Sequence, residues 1–178
     1  MEPAGPLNIG SVARLCANFA VSQLRLVNPR CDHLSEEAMR MAVHGQSMLR
    51  TASIHDSLLH ALRDCRRAVA TCGRLDHGDI PLHPPETALQ WLLAAGNLEA
   101  GQVEQRRSLA LVFGREDRGL DNSELRQCQR VMTLLSDESY PSLNLSHAVA
   151  VALHEVHRLR LASSGPGVAD PDPAPRWR

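Results

Sequence analysis

The sequence contains no lysine, so all 19 of its basic residues are arginine. A GC-rich genome explains this at least as well as selection for guanidinium groups that bind phosphate. Aromatic residues make up only 3% of the chain, and the formal net charge is −1. A global basic field is therefore excluded, and nucleic-acid binding would need a local patch or the combined surface of an oligomer.

Paired cysteines and long apolar runs are also missing. The five cysteines are scattered, odd in number and without a Cys-x-x-Cys pair, which argues against a disulfide framework or structural zinc. The first residues lack the basic and apolar regions of a signal peptide, and no apolar run approaches the ~18 residues of a membrane span. These absences predict a soluble, cytoplasmic protein in a reducing compartment, with no membrane partner.

Several common site motifs are absent as well. Gly114 and Gly119 have the glycine spacing of a P-loop, but Leu120 and Asp121 occupy the positions where Lys and Ser or Thr are required. No Gly-x-Gly-x-x-Gly is present, which excludes the usual NAD-binding fingerprint. His154 and His157 are three residues apart, whereas the zinc helix motif needs four. Ser142 also lacks the Gly-x-Ser-x-Gly setting of a hydrolase nucleophile.

The stretch from Ser108 to Leu125 carries the strongest local signal. Leu109 to Phe113 is an apolar run of strand length that ends at Gly114, as in a strand buried on both faces of a parallel sheet. Asp121 and Glu124 have the spacing of a capping box that opens a helix. Ligands of open α/β sheets bind at the carboxyl ends of strands, so we predict a site in the loop from Gly114 to Gly119.

Strands and helices alternate along the rest of the 178 residues, which predicts one α/β domain over residues 1–162 with a parallel sheet flanked by helices. Further strands are predicted at Gln23–Val27, Ala52–Ile54, Ala68–Cys72 and Val131–Leu135. Helices are predicted at Asn8–Phe19, His55–Arg63, Glu86–Ala95 and Ser142–Leu161, and Ser35 with Glu36, Glu37 and Met39–Val43 predicts a short capped helix. The apolar stripe of the last helix suits packing on the sheet or on another subunit. The tail, residues 163–178, has too little apolar content to pack and is predicted to be disordered.

Three polar motifs occur in an order that identifies a family. They are Asn-Ile-Gly-Ser-Val-Ala-Arg at Asn8–Arg14, Leu-Val-Phe-Gly-Arg-Glu-Asp-Arg-Gly-Leu at Leu111–Leu120, and Ser-Leu-Asn-Leu-Ser-His-Ala-Val at Ser142–Val149. Together they resemble the motifs of SpoU-type ribose methyltransferases of the SPOUT class. The resemblance implies a SPOUT fold with a C-terminal trefoil knot, S-adenosylmethionine as the cofactor, and a homodimer.

Additional residues narrow the resemblance. Asn122-x-Glu124-Leu125 and the run Tyr140-Pro-Ser-Leu-Asn resemble TrmJ-type tRNA methyltransferases, which methylate the 2′-hydroxyl of a pyrimidine at the start of the anticodon loop. By this resemblance the substrate is tRNA. Methylation of the tRNA wobble position or of ribosomal RNA remains open, as does a catalytically idle knot dimer that binds RNA or a partner.

The resemblance also implies which residues contact the cofactor. They are Thr71, Cys72, Gly73, Gly114, Leu134, Ser142, Leu143 and Asn144. Gly114 is expected to let the cofactor approach the backbone closely. Arg14 is expected to contribute to a site near the subunit boundary.

The candidate catalytic residues are Arg14, Asn8, Ser142 and Glu116. A guanidinium is effectively always protonated, so we expect Arg14 to grip a phosphate and the ribose rather than act as a base. The proton would leave through the phosphate, a water, Asn8 or Ser142, and Glu116 would brace the loop or Asn8. The methyl group of a sulfonium is already activated, so no metal is required.

Several arginines are candidates for contacts with RNA. Arg14, Arg115 and Arg118 lie in the resembling motifs, and Arg63, Arg66 and Arg67 are candidates for tRNA phosphates.

Two positions depart from the family pattern. Related chains usually carry an apolar strand ahead of the equivalent of Glu2-Pro3, where this sequence has only Met1. Either the start is assigned too late or the sheet lacks its first strand, in which case stability or solubility should suffer. Leu7 replaces a Gly that commonly precedes the motif Asn, so the turn into the first helix is expected to differ.

Overall fold

The computed structural model describes residues 1–73, 77–95, 108–134, 136–137, 139 and 142–163. Its helices are α1 (Pro6–Asn18), α2 (Glu36–Ala42), α3 (Gln46–Arg50), α4 (Leu58–Leu62), α5 (Pro85–Ala94), α6 (Asn122–Leu125) and α7 (Leu145–Ser163). Its strands are β1 (Arg25–Val27), β2 (Ser53–His55), β3 (Cys65–Thr71), β4 (Leu82–His83), β5 (Ser108–Val112) and β6 (Arg130–Met132). The predicted tail lies outside the described residues, apart from Ser163 at the end of α7.

The strands form two parallel sheets. Four strands pair in the order β4-β6-β3-β5, and β1 pairs with β2 alone. Val69 of β3 is in register with Leu111 on one side and with Arg130 on the other, so β3 is a central strand. The prediction of an α/β fold with a parallel sheet flanked by helices is confirmed.

Helices cover both faces of the four-stranded sheet. Because successive side chains of a strand point to opposite faces, Ala68 and Ala70 pack in a core with Leu58 of α4 and Leu125 of α6. Val69 packs on the other face with residues of α5 and α7. The α7 residues Val149, Ala152, Val156 and Leu159 are all buried within the chain, so most of the predicted stripe belongs to the core.

A third core surrounds α1. Ile9 and Ala13 of α1 pack with Leu26 of β1 and with α2 and α3. The backbones approach so closely that a Cβ on Gly10 would lie 2.4 Å from the carbonyl oxygen of Ala38. Gly10 is thus required for α1 to pack on α2.

An apolar cavity of about 390 Å³ lies between the two sheets. Its lining includes Gln23 to Val27, which contain β1, and Ser108 to Phe113, which contain β5. At one end of this cavity Met1 donates its amino N–H to the Phe113 carbonyl (2.8 Å), and the Glu2 amide donates to the Val27 carbonyl (2.7 Å). Met1 thus bonds to the end of β5 and Glu2 to the end of β1. The last two residues of a strand that lay between β5 and β1 would bond in this way.

Candidate functional site

A second cavity, of about 380 Å³, lies where β3, β5 and β6 end. It is lined by Thr71, Cys72, Gly73, Phe113, Gly114, Arg115, Glu116, Asp117, Arg118, Gly119, Leu134, Ser142, Leu143, Leu145 and Ala148. This is the edge of a parallel sheet at which ligands usually bind. Its volume falls within the range of small-molecule sites.

Seven of the eight residues predicted to contact a cofactor line this cavity. The exception is Asn144, whose side-chain oxygen accepts hydrogen bonds from the amide and the hydroxyl of Ser146, at 2.9 and 2.8 Å. Asn144 therefore shapes the turn before α7 rather than the cavity wall. Phe113, Leu145 and Ala148 also line the cavity. They were not predicted to contact the cofactor, although all three lie within the motifs at Leu111–Leu120 and Ser142–Val149.

Three strand ends are tied together beside the cavity. The Thr71 hydroxyl donates to the Val112 carbonyl (3.2 Å), which joins the end of β3 to the end of β5. The Cys72 amide donates to the Met132 carbonyl (2.9 Å), which joins β3 to β6. These bonds hold three walls of the cavity in a fixed relation.

The loop of residues 114–119 closes on itself. The Arg115 and Gly119 backbones exchange two hydrogen bonds, at 3.3 and 3.0 Å, and Gly119 has a positive φ of 69°. A Cβ on Gly114 would lie 2.3 Å from the carbonyl carbon of Gly119 and 2.4 Å from the Leu120 nitrogen. Gly114 lines the cavity as predicted, but the close approach that excludes a side chain there is made by the loop's own backbone.

After the loop, Asp121 begins α6 with the predicted capping box. The Asp121 carboxylate accepts from the Glu124 amide (2.9 Å), and the Glu124 carboxylate accepts from the Asp121 amide (2.9 Å). The prediction of a capped helix at this position is confirmed.

Glu116 connects the cavity to the start of α1. Its carboxylate accepts hydrogen bonds from the amides of Ala4 (3.1 Å) and Gly5 (3.1 Å) and from the Asn8 side chain (3.3 Å). Burial raises the pKa of Glu116, but the hydrogen bonds from these groups outweigh burial and hold its pKa below the usual value. The ionised carboxylate therefore suits bracing the N-terminal segment and the Asn8 side chain.

Arg115 is buried, although it was predicted to contact RNA. Its guanidinium makes a bidentate ion pair with Glu124, at 2.7 and 2.8 Å, and an ion pair with Glu2 at 2.5 Å. These carboxylates raise the pKa of Arg115 further above its ordinary value. Only 7% of its side chain is exposed, so an RNA phosphate would have to displace carboxylates to reach it. This geometry favours a role within the loop.

Arg118 and Arg14 are exposed. Arg118 lines the cavity, and Arg14 does not. The Arg14 side chain makes no hydrogen bond or ion pair with any residue that the structure describes, so its guanidinium is available to a ligand. Within one chain, therefore, Arg14 is not brought to the cavity that contains Ser142.

Arg66 and Arg67, two of the other arginines proposed to contact RNA, bind α5 instead. Arg66 donates to the Ala95 carbonyl (2.9 Å), and Arg67 donates to the Trp91 carbonyl. The guanidinium groups of Arg67 and Arg130 lie 4.3 and 4.7 Å from the centroid of the Trp91 ring, a cation–π arrangement. Arg66 and Arg67 lie in the first half of β3, away from the carboxyl end that borders the cavity. Their contacts therefore stabilise the packing of α5 on the sheet.

Arg63 is exposed. It lines an open surface depression with His55 and His60, beyond the ends of β1 and β2.

Among the described residues, no helix is both long and apolar enough to cross a membrane. The 380 Å³ cavity is lined by apolar side chains, by residues at three strand ends and by the charged loop residues 115–118. This combination fits a small amphipathic ligand whose polar groups bind the protein backbone.

Known proteins resemble this chain over most of its length. The tRNA (cytidine-2'-O-)-methyltransferase TrmJ of Methanocaldococcus jannaschii is 36% identical over 155 residues, which cover 84% of this chain and 62% of that protein. The crystal structure of TrmJ from Z. mobilis has a TM-score of 0.75 at 27% identity and covers 94% of this chain and 70% of that one.

A third similar structure is described as giving insights into the 2-OH methylation of C/U34 on tRNA. It has a TM-score of 0.64 at 25% identity and covers 90% of this chain and 93% of that one.

The chain spans about three-fifths of the length of the curated relatives it matches. The model of the SpoU rRNA Methylase family matches residues 1–154. This match includes Asn8, Arg14, the loop of residues 114–119 and the turn that begins α7. The chain therefore belongs to the SpoU rRNA Methylase family.

Proposed function

We propose that the protein transfers a methyl group from S-adenosylmethionine to the 2′-hydroxyl of a ribose in tRNA. The observation that carries this proposal is the cavity at the ends of β3, β5 and β6, where seven of eight predicted cofactor residues meet. Membership of a methylase family and similarity to a tRNA 2'-O-methyltransferase over 84% of this chain support the reaction.

The cavity fits the proposed cofactor in size and chemistry. About 380 Å³ suffices for a nucleoside with an amino-acid arm. Leu134, Leu143 and Leu145 offer apolar contacts to an adenine ring, while backbone groups at Gly73 and Gly114 can bind polar atoms. When bound, S-adenosylmethionine supplies a methyl group already activated by a sulfonium, so the reaction needs no metal.

The residues around the cavity would mainly provide alignment. Correct placement of hydroxyl, methyl carbon and leaving sulfur can account for roughly 7–11 kcal/mol of the barrier. Arg14 grips a phosphate beside the target ribose and hydrogen-bonds the ribose, since its guanidinium stays protonated. The proton leaves the 2′-hydroxyl to the phosphate, a water, or the side chain of Asn8 or Ser142.

Glu116 is a bracing group in this proposal. Its carboxylate already accepts three hydrogen bonds from the segment of residues 4–8. It holds Asn8 and the start of α1 against the cofactor loop, and thereby sets the position of the helix that carries Arg14.

The proposed active form is a homodimer whose C-terminal segment forms a trefoil knot. The observation that supports the dimer is the position of Arg14, which is exposed and outside the cavity of its own chain. A second subunit lets Arg14 of one chain complete the cavity of the other, at a site near the subunit boundary.

The proposed target is a pyrimidine at the start of the tRNA anticodon loop. The TrmJ of M. jannaschii is a tRNA (cytidine-2'-O-)-methyltransferase, which favours a pyrimidine of tRNA as the target. A second candidate is the wobble position, favoured by the resemblance to the structure that concerns C/U34 of tRNA.

Mass spectrometry of tRNA nucleosides tests the substrate. tRNA from a deletion strain should lack one 2′-O-methylated pyrimidine that the parent strain contains, and fragment mapping should locate it in the anticodon loop. Loss at the wobble nucleotide would select the second candidate. Unchanged tRNA with a methyl group missing from ribosomal RNA would overturn the tRNA assignment, and no change in either RNA would favour an idle knot that binds RNA or a partner.

A further inference from the structure

Arg115 joins three parts of the chain through one side chain. Its guanidinium donates to Glu124 of α6, to Glu2 in the N-terminal segment, and to the Gly119 carbonyl in its own loop at 3.2 Å. Glu2 also pairs with Arg30, which follows β1. The network Arg30–Glu2–Arg115–Glu124 therefore includes a direct ion pair between residues that are 113 apart in sequence, Glu2 and Arg115.

The network includes Arg115 of the cofactor loop and joins this loop to the N-terminal segment. Arg115 and Glu116 are consecutive, and both bind the N-terminal segment: Arg115 binds Glu2, and Glu116 binds Ala4, Gly5 and the Asn8 side chain. The loop is thereby fixed to the N-terminal segment by two residues that also line the cavity. The position of the loop and the position of α1, which carries Arg14, depend on the same pair of residues.

The Glu124 carboxylate has two tasks. It accepts the bidentate pair from Arg115, and one of its oxygens also accepts the Asp121 amide of the capping box at 2.9 Å. A guanidinium donates two parallel hydrogen bonds to a carboxylate, whereas a lysine ammonium acts as a point charge. The bidentate pair with Glu124 therefore fixes the orientation of the Arg115 side chain.

We propose that Arg115, held by Glu124 and Glu2, is a positioning residue that keeps the loop of residues 114–119 in the form that binds the cofactor. Arg115 acts through the loop and not through RNA. This inference rests on the proposed function, since it requires S-adenosylmethionine to bind in the 380 Å³ cavity.

The test compares the dissociation constant for S-adenosylmethionine with the KM for tRNA. Arg115→Met should raise the dissociation constant about tenfold or more, while the KM for tRNA at saturating cofactor stays within about twofold. Arg115→Lys should lie between Arg115→Met and the wild type, because it keeps the charge and loses the fork. Arg126→Ala is the matched control: Arg126 makes an exposed ion pair with Asp79 and does not line the cavity, so its loss should leave cofactor affinity unchanged.

A paired variant separates positioning from folding. Removing both charges of a buried ion pair is often neutral for stability, and a Gln at position 124 keeps an oxygen for the Asp121 amide of the capping box. Arg115→Met with Glu124→Gln should therefore melt near the wild-type temperature. Its affinity for S-adenosylmethionine should nevertheless stay reduced about tenfold, because the guanidinium that fixes the loop is missing.

The outcomes distinguish this inference from the proposed function. Equal cofactor affinity in the wild type and in the folded Arg115→Met or paired variant overturns the positioning role and leaves the proposed function intact. A raised KM for tRNA with unchanged cofactor affinity would indicate that Arg115 contacts RNA. This result also overturns the positioning role. Failure of the wild-type protein to bind S-adenosylmethionine overturns the proposed function, and this inference with it.

Discussion

Arg115 and Glu116 are adjacent in the chain, yet their side chains have different partners. Arg115 is paired with Glu124 and Glu2, whereas Glu116 accepts hydrogen bonds from the amides of Ala4 and Gly5 and from Asn8. Both contribute to the same result, because each fixes the loop to the N-terminal segment. The two residues that follow, Asp117 and Arg118, are exposed and remain available to a ligand.

Alanine substitutions at Gly114 and Gly119 separate two effects, a steric clash with backbone and the strain of a positive φ. A Cβ on Gly114 would lie 2.3 Å from backbone, so Gly114→Ala should destabilise the protein by about 3 kcal/mol or more. Gly119 has nothing within 4 Å of the added Cβ, so Gly119→Ala should cost only about 1 kcal/mol for its positive φ. Urea unfolding measures both values, and an equal loss in the two variants would contradict the described loop.

Glu2 provides a test by pH. Its hydrogen bond with Arg115, followed by its pairing with Arg30, lowers the pKa of Glu2 from 4.5 to about 2 in the folded protein. A depressed carboxylate pKa stabilises the fold above the unfolded-state pKa, and that contribution is lost as the pH falls through the folded-state pKa. The wild type should therefore exceed Glu2→Gln in free energy of unfolding by a constant amount above pH 4.5, with the gap closing towards pH 2.

The control for this experiment is Glu36→Gln. Glu36 pairs with Arg40, but 86% of its side chain is exposed, and exposed pairs contribute little. Urea unfolding at a series of pH values should show almost no gap for this variant. If wild type and Glu2→Gln have the same free energy of unfolding at neutral pH, the role given to the ion pair is contradicted.

The family resemblance implied that Glu116 braces the loop or Asn8, and local sequence predicted the capping box, but neither indicated the burial of Arg115. The capping box depends on residues three apart, so the spacing of Asp121 and Glu124 reveals it. The pairing of Arg115 with Glu2 joins residues 113 apart, and no local pattern encodes such a contact. Gly114 was recognised as important, yet its reason, contact with backbone five residues ahead, required coordinates.

At the scale of elements, alternating strands and helices predicted most of the described secondary structure. Ser35 caps α2, and β5 and β6 occur within one to three residues of their predicted bounds. The two-residue strand β4 was missed because three prolines surround it, and α4 begins three residues later than predicted, after Ser57 caps it. The division into two sheets was also not predictable, since it depends on which strands pair.

The cavity between β1 and β5 gives a prediction for elements. Five apolar residues such as Ile-Val-Val-Leu-Val, fused ahead of Met1, should enter the 390 Å³ cavity as a strand parallel to both neighbours. Burial of their side chains exceeds the cost of ordering them. The melting temperature should rise by about 5 °C or more, which corresponds to roughly 2 kcal/mol for a chain of this size.

A fusion of equal length made of Gly and Ser is the control, because it cannot bury apolar surface. Hydrogen exchange should show added protection of the β1 and β5 amides only for the apolar fusion. Equal melting temperatures for the two fusions would mean that the cavity does not accept a strand.

At the scale of the whole molecule, the proposed site needs residues from two chains. Arg14 lies outside the cavity of its own subunit, and Ser142 lines it. Sequence alone left open whether the stripe of α7 faces the core or another subunit. Burial of Val149, Ala152, Val156 and Leu159 assigns these residues to the core, so a dimer would use other surfaces.

Mixed dimers test the shared site. Arg14→Ala removes the proposed RNA grip, and Ser142→Trp fills the cavity, so each variant alone should be inactive. Random mixing makes half of the dimers mixed, and each mixed dimer retains one intact site, so activity should recover to about one quarter of wild type. The control mixes Ser142→Trp with the double variant Arg14→Ala/Ser142→Trp. Every cavity in this mixture is filled, so no activity should return. Absence of recovery in the first mixture would show that Arg14 serves its own chain.

The most direct test of the account is methyl transfer by the purified protein to tRNA from the deletion strain. With labelled S-adenosylmethionine, the wild type and the exposed control Arg50→Ala should produce a 2′-O-methylated pyrimidine. Arg14→Ala should lose nearly all transfer while binding the cofactor within about twofold of wild type, since Arg14 lies outside the cavity. Full activity of Arg14→Ala, or a wild-type protein that binds the cofactor but methylates no ribose of tRNA, would contradict it.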